Sequence, residues 1–422
     1  MQYRENELKE GIKLHTIKTD KFKTNLVAVF LTTRLARENV TKNALISMIL
    51  RRGSKSLSSQ EEISKKMEEM YGASFDCGLD KTGDNQVLKF YIESVNDNFL
   101  PKQSENILKE SIQSLLEIVF NPYLENNCFK KEYIEQEKIN LKQRIKGKID
   151  NKARYALDRC IEEMYKDMPF GLFKFGYIED LENIDEKNLY EYYKELINSC
   201  KIDIFVSGDI DEKIVEIINQ NSNIIKLKQR KANYVVPKLE KKEKKEENIV
   251  TESMDVTQGK LLLGLDVNID DEKLKYDTLL YNSILGGSAN SKMFQNVREK
   301  AHLAYVASSS YLRYKSNIFV NCGIEIGNYE KALELIRKQI DDMKNGDFTD
   351  KDIDDAKTGI IANIKTISDE QDTELTYYFG QELSQNRTSI EEYEEKINNV
   401  SKDDIINVAN KVTINTVYFL RD

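Results

Sequence analysis

One order of elements occurs twice in this chain, and that repetition limits the fold more than any other feature. Residues 24–33 (TNLVAVFLTT) form an apolar, branched run that reads as a strand. A helix follows over Lys42 to Leu50, with Ala44, Leu45, Met48 and Ile49 as its apolar face, and it ends near Gly53. Ser59 and Glu62 have the spacing of a capping box and open a second helix to Met70; Ala73 to Leu79 and Gln86 to Val95 then read as a hairpin. After residue 250 the series returns. Lys260 to Asn268 (KLLLGLDVN) reads as a strand, a helix from about Leu274 stops at Gly286-Gly287, and a second helix presents Met293, Phe294 and Val297 on one face. Ser288 and Asn290 are its candidate caps. Leu303 to Tyr311 and Asn317 to Ile324 close the series as paired antiparallel strands. Even the last words correspond, FYIE at 90–93 and CGIE at 322–325. Each half then runs through long helices to a lone strand, Ile202 to Ser207 and Asn415 to Leu420. Element order repeats while identity scarcely does, as expected of an old internal duplication.

The remaining segments fit this frame. Ile12-Lys13-Leu14 reads as a short edge strand. Long amphipathic helices are expected at about 108–119, stopped by Pro122, at 128–146, 152–165 and 185–199, and a further one reaches Asn221; in the second half they fall at 329–343, 351–367, 370–383 and 401–411. Residues 226–250 are charged, with Lys and Glu interleaved and no helical apolar stripe, and read as a solvated linker. The expected organisation is therefore an N-terminal domain over 1–225, a linker over 226–250 and a C-terminal domain over 251–422.

Composition narrows the chemistry. Only two histidines occur, His15 and His302, in unrelated contexts, so a histidine-based metal site or catalytic dyad has almost nothing to draw on. The five cysteines are scattered, without a C-x-x-C, and fit free thiols in a reducing cytoplasm. A net charge of −9 with both signs dispersed argues against a nucleic-acid surface. No apolar run approaches a membrane span, and the polar N-terminal stretch is not read as a signal peptide. Gly286-Gly287-Ser288 fits neither a P-loop nor a G-x-S-x-G frame, and Asp270-Asp271-Glu272 lacks calcium-loop spacing.

The string ILGGS…SKMFQNVREKAHLAYVASSSY over 284–311 resembles the C-terminal half of the insulinase-type (M16, pitrilysin-like) metallopeptidases. The resemblance extends over nearly the whole chain. It implies an α+β fold of two duplicated units, each an antiparallel sheet with helices packed on it, of the LuxS-metallohydrolase-like type. In that family the Arg and Tyr of R-E-K-x-x-L-A-Y hold the substrate backbone and the reacting carbonyl; by motif match these are Arg298 and Tyr305. The chemistry suits the residue types, because Arg offers a rigid fork of donors and Tyr one donor for a developing oxyanion.

Active members also carry H-x-x-E-H on a helix shortly before Gly-Thr or Gly-Ser, so that two imidazoles one turn apart grip zinc and the Glu acts as base. Counting back from Gly53, the histidine positions fall on Ala44 and Met48, and the base position on Ser47. None can serve. The downstream E-R-x-x-x-x-E-E-I region matches 137–145, where the paired acids have become Gln143 and Arg144. The resemblance thus implies a chain with no cofactor of its own. Its expected role is the non-catalytic subunit of a cytoplasmic heterodimer, with zinc on a homologous partner that carries the motif and a peptide as substrate; a homodimer is the alternative in isolation. The competing function is a peptide- or protein-binding scaffold without proteolytic role, linked to modification of an elongation factor.

Overall fold

Strand Thr24–Arg34 is buried at every position from Asn25 to Thr33. Alternate side chains of a strand point to opposite faces, so uninterrupted burial requires cover on both sides of the sheet. The computed structural model, which describes residues 2–101, 106–239, 242 and 246–422, shows how that cover is supplied. The chain forms two units. One comprises 1–146, 172–235 and 370–380; the other comprises 147–171, 236–369 and 381–422. Each unit takes one segment from the opposite half of the sequence.

The first unit contains β1 (Gln2–Lys9), β2 (Ile12–Lys18), β3 (Thr24–Arg34), β4 (Ser74–Thr82), β5 (Asn85–Val95), the two-residue ladder β6 (Leu124–Glu125) with β7 (Cys128–Phe129), and β8 (Lys201–Gly208). Its main sheet has the order β1-β2-β8-β3-β5-β4. Helices Val40–Ile49, Ile107–Phe120 and Glu186–Ser199 bury their apolar stripes against one face, where Val27, Val29 and Leu31 point. The other face, carrying Phe30 and Phe205, is closed by the helix Gln371–Ser384. Phe379 meets the Phe30 ring edge-on at 4.7 Å, and Tyr378 stacks on Tyr3 at 4.2 Å. Gln371 fixes the helix start, accepting from Thr24 Oγ1 at 3.0 Å and donating to the Thr24 carbonyl at 3.2 Å.

The second unit contains β9 (Asn248–Ser253), β10 (Gly259–Val267), β11 (Ala304–Leu312), β12 (Asn317–Ile324) and β13 (Val412–Arg421), in the order β11-β12-β10-β13-β9. This is the first sheet without β1. β9 runs parallel to β13 as β2 does to β8, β10 lies between β13 and β12 as β3 does between β8 and β5, and β11 matches β4. The sheets are therefore mixed and not wholly antiparallel, and β2 is an inner strand with β1 outside it. β1 was hidden in the sequence because its polar residues (QYRENELK) carry no apolar alternation.

Helix Lys152–Met164 belongs to the second unit and lies across β10 and β13. Ala156, Cys160, Ile161 and Met164 pack with Leu262, Phe319, Tyr418 and Leu420. Close approach is possible because Gly264 has no side chain; a Cβ there would stand 2.8 Å from Met164 Sδ and 3.3 Å from the Phe319 ring. A polar clamp holds the same helix. Glu252 of β9 accepts from Tyr155, from Arg159 Nε at 3.0 Å and from Tyr418 at 2.8 Å.

The segment read as a linker is largely built into the units. Arg230 N–H donates to the Glu10 carbonyl at 3.0 Å, Asn233 N–H to Ser199 at 2.8 Å, and Val235 exchanges two 2.7 Å bonds with the Asn85 side chain. Asn248–Ser253 is β9 itself. The interleaved charges concealed main-chain groups that find fixed partners. Residues 240–241 and 243–245 of that segment lie outside the described residues. Among the described residues, no helix is long and apolar enough to cross a membrane.

Two predictions follow from the second unit. Gly264→Val forces branched atoms against Met164 and Phe319, and should cost about 1–3 kcal/mol in urea unfolding, with Gly264→Ala costing less. Asp277 is buried in the helix Leu274–Asn282 with neither carboxylate oxygen hydrogen-bonded. Burial, reinforced by the neighbouring Asp404 and Asp271 and opposed by Lys273, pushes its pKa up to about 6. The folded chain then holds a proton that the unfolded chain has released, so this group's contribution falls as pH rises from about 4 to about 6 and stays low above that. Asp277→Asn should raise stability by about 1–2 kcal/mol at pH 8 and by little at pH 4, seen as a difference in melting temperature.

Candidate functional site

Two loci follow from the residues singled out above, one in each unit. In the first unit, Ala44, Ser47 and Met48 share one stripe of the helix Val40–Ile49, as their spacing requires. They do not form a metal site. Ala44 is buried and offers no donor atom. The Ser47 hydroxyl donates to the Ala44 carbonyl at 2.8 Å, a bond internal to the helix. Met48 packs its thioether against the apolar core, and a thioether is a poor zinc ligand. Cys77, on β4, donates its thiol to the Ser47 carbonyl at 3.4 Å.

The helix Lys131–Lys146 packs against the first helix and presents Glu137, Leu141 and Arg144 along one stripe. Glu137 is buried, and its carboxylate accepts from the Arg52 guanidinium and from Asn140 Nδ2 at 3.1 Å. Its charge is thus already neutralised by an internal cation. Arg144 lies over the Phe175 ring at 5.0 Å. Burial pushes the Cys77 thiol pKa up, and the Arg51 and Arg144 cations partly oppose that shift. Zinc would need anions and neutral nitrogens here. The locus supplies guanidinium groups and a satisfied ion pair, so it does not fit zinc.

In the second unit, Arg298 and Tyr305 flank one turn. Arg298 lies on Met293–Lys300, which winds as a π-helix, as does Ser283–Gly287 before it. Such widened turns cluster at functional sites. Ser291 Oγ, in place of the expected Ser288 or Asn290, accepts the Phe294 N–H at 3.4 Å at the start of this helix. The Arg298 guanidinium stacks on Phe294 at 4.5 Å, and its Nε is 3.6 Å from Glu299. His302 takes the left-handed backbone (φ 52°) and turns the chain into β11. β11 is an edge strand, and Tyr305 is the extra residue of a bulge between Ala304 and Val306. Bulges re-aim side chains. Tyr305 is accordingly 64% exposed, and its hydroxyl has no hydrogen-bond partner among the described residues. A half-buried fork of donors and an exposed phenol thus stand at the two ends of one turn, the phenol on the strand that matches β4.

The residues that reasoning from sequence missed are Arg51, Arg52 and Cys77. Arg51 was marked only by its spacing, two turns beyond Ala44, and Arg52 only by following it. Cys77 carried no local signal.

Residues 183–360 match the family model described as the peptidase M16 inactive domain. The probable inactive metalloprotease YmfF of Bacillus subtilis (strain 168) is 36% identical over 425 residues, covering 99% of this chain and 98% of that one. The uncharacterized zinc protease YmxG of the same bacterium is 23% identical over 254 residues, or 60% of each chain. A conserved protein from Enterococcus faecalis V583, solved as a crystal structure, superimposes with a TM-score of 0.91 at 28% identity, covering 100% of this chain and 99% of that one. The chain belongs to the M16 peptidase family. Within it, the chain is a full-length homologue of a protein named as a probable inactive metalloprotease.

The ion pair that stands in this locus should matter for stability. Arg52→Met leaves the Glu137 carboxylate buried with only Asn140 to satisfy it, and a loss of about 2–4 kcal/mol in chemical unfolding is expected; Arg52→Lys should recover part of it.

Proposed function

We propose that the chain is the non-catalytic subunit of a two-chain M16 zinc peptidase. It supplies Arg298 and Tyr305 to an active site whose metal and general base sit on a homologous partner. The observation that carries this reading is an asymmetry between the loci. The zinc-motif positions hold Ala44, Ser47 and Met48 in place of histidines and glutamate, while Arg298 and Tyr305 remain, the first half-buried and the second exposed. A tyrosine aimed outward by a bulge gains nothing for folding, because its ring is left in water. Its value lies in what it can donate to. Arg298, its apolar stem and plane set on Phe294, keeps donor edges for a peptide carbonyl. Support also comes from the relatives: one bacterium, Bacillus subtilis, holds a homologue named as an inactive metalloprotease and another named as a zinc protease.

In the proposed reaction a homologous partner would hold the zinc, which would supply an activated water for attack on the scissile carbonyl. Arg298 fixes the peptide main chain, and the Tyr305 hydroxyl donates to the oxygen as it gains charge. The purified chain alone should then cleave no peptide. Mixed with a homologous chain from the same genome that bears H-x-x-E-H, it should restore cleavage. Arg298→Ala should abolish rescue while leaving co-elution of the two chains intact, and Tyr305→Phe should lower kcat by about 10²-fold with a small change in KM. Undiminished rescue by the doubly substituted chain would remove this function.

A further inference from the structure

The polar strand β1 builds the floor of a hollow in the first unit. Gln2, Arg4 and Asn6 alternate along it and share one face. In the ladder with β2, Gln2 stands opposite Lys18 and Arg4 opposite Thr16, so these side chains meet on that face. Burial fades along β2 there, from Ile12 and Leu14 in the core to half-buried Thr16 and exposed Lys18. β8 runs parallel to β2 with Gly208 beside Lys18, and the chain leaving β8 turns over this end. Ile210, Asp211, Glu212 and Val215 of that turn form the wall, and wall and floor together enclose about 360 Å³. That volume falls within the range of small-ligand sites.

The hollow is polarised. Its cations, Arg4 and Lys18, come from the floor, and its carboxylates, Asp211 and Glu212, from the wall. One pair closes across it, Arg4 Nη1 donating to Glu212 at 2.8 Å. That hydrogen bond, with the attraction of Arg4 and Lys18, holds the Glu212 carboxylate below its ordinary range. The other groups have capacity left. Among the described residues, the Lys18 ammonium and the Gln2 and Asn6 amides have no hydrogen bond or ion pair. Asp211 accepts the Lys213 N–H on one oxygen at 2.9 Å, and its second oxygen has no partner among them. Ile210 and Val215 add apolar surface of the size a short side chain covers.

We propose that this hollow binds a zwitterion of amino-acid or dipeptide size, its carboxylate on Arg4 and Lys18 and its ammonium on Asp211 and Glu212. A ligand with one charge would satisfy one side and face like charge on the other. The site uses neither Arg298 nor Tyr305 and needs no partner chain, so it does not rest on the subunit reading.

The test is isothermal titration calorimetry of the full chain with five probes: L-valine, glycyl-L-valine, N-acetyl-L-valine, L-valinamide and N-acetyl-L-valinamide. At least one of the two zwitterions should bind at least about tenfold tighter than each of the three probes that lack a charge. The tighter zwitterion assigns the length of the ligand, and either order supports the proposal. Lys18→Met should weaken the zwitterion at least about tenfold and bring it level with L-valinamide. Asp211→Asn with Glu212→Gln should bring it level with N-acetyl-L-valine. Lys18 has no hydrogen bond or ion pair to lose and Asn can keep the bond from the Lys213 N–H, so both substituted chains should melt as the parent does. No binding of either zwitterion, equal affinity for all five probes, or a zwitterion preference that survives Lys18→Met overturns the proposal. Loss of partner rescue with this preference intact would count against the subunit reading alone, and the converse against this one alone.

Discussion

The constraint on which this structure rests is that its central strands are apolar on both sides. β3 and β10 are buried along nearly their whole length, and each residue that alternates away from the principal helical layer still needs cover. Leaving one face in water would forfeit the burial of side chains such as Phe30, Phe205, Leu262 and Tyr418, each a sizeable share of the stability of a domain this size. The chain meets the need by exchange. The helix Lys152–Met164 of the first half closes the second sheet, and the start of Gln371–Ser384 from the second half closes the first. Neither half of the sequence is then a complete folding unit, and the two copies of the duplicated pattern stay dependent on each other.

The metal locus shows the same economy of partners. A helix that carries zinc ligands must leave room and charge for an ion. Here that room is taken by Met48, and a buried carboxylate, Glu137, is neutralised by Arg52 from the turn after the helix. Once an internal cation occupies such a carboxylate, the carboxylate is no longer free to hold a metal. The second locus followed another course. Its Arg and Tyr are presented by a π-helix, whose Met293 and Val297 are buried, and by a bulge that leaves Tyr305 exposed.

Much of the fold was legible in the sequence. Runs such as TNLVAVFLTT and KLLLGLDVN are strands because they are rich in Val, Leu, Phe and Thr, and capped helices such as Glu186–Ser199 begin where Asp185 offers its carboxylate. The elements missed were those with no apolar period. β1 is polar along its length and is a strand because β2 offers it a hydrogen-bonding edge. The helix Ile390–Asn398 carries only Tyr393 and Ile397 inward. The charged stretch after residue 226 looked like a tether because its main-chain partners, Glu10, Ser199 and Asn85, are remote in sequence.

The sequence by itself determined that Ala44, Ser47 and Met48 make no zinc site, because Ala44 has no donor atom and a hydroxyl and a thioether are poor zinc ligands in any conformation. It also determined the duplicated order of elements, because hydrophobic period and turn residues act over a few residues. Only the tertiary structure decided which sheet each exchanged helix covers, that Arg52 answers Glu137, and that Tyr305 stands on a bulge. Those are relations between residues far apart along the chain. They follow from how layers stack and which charges meet, and local preference carries no record of either.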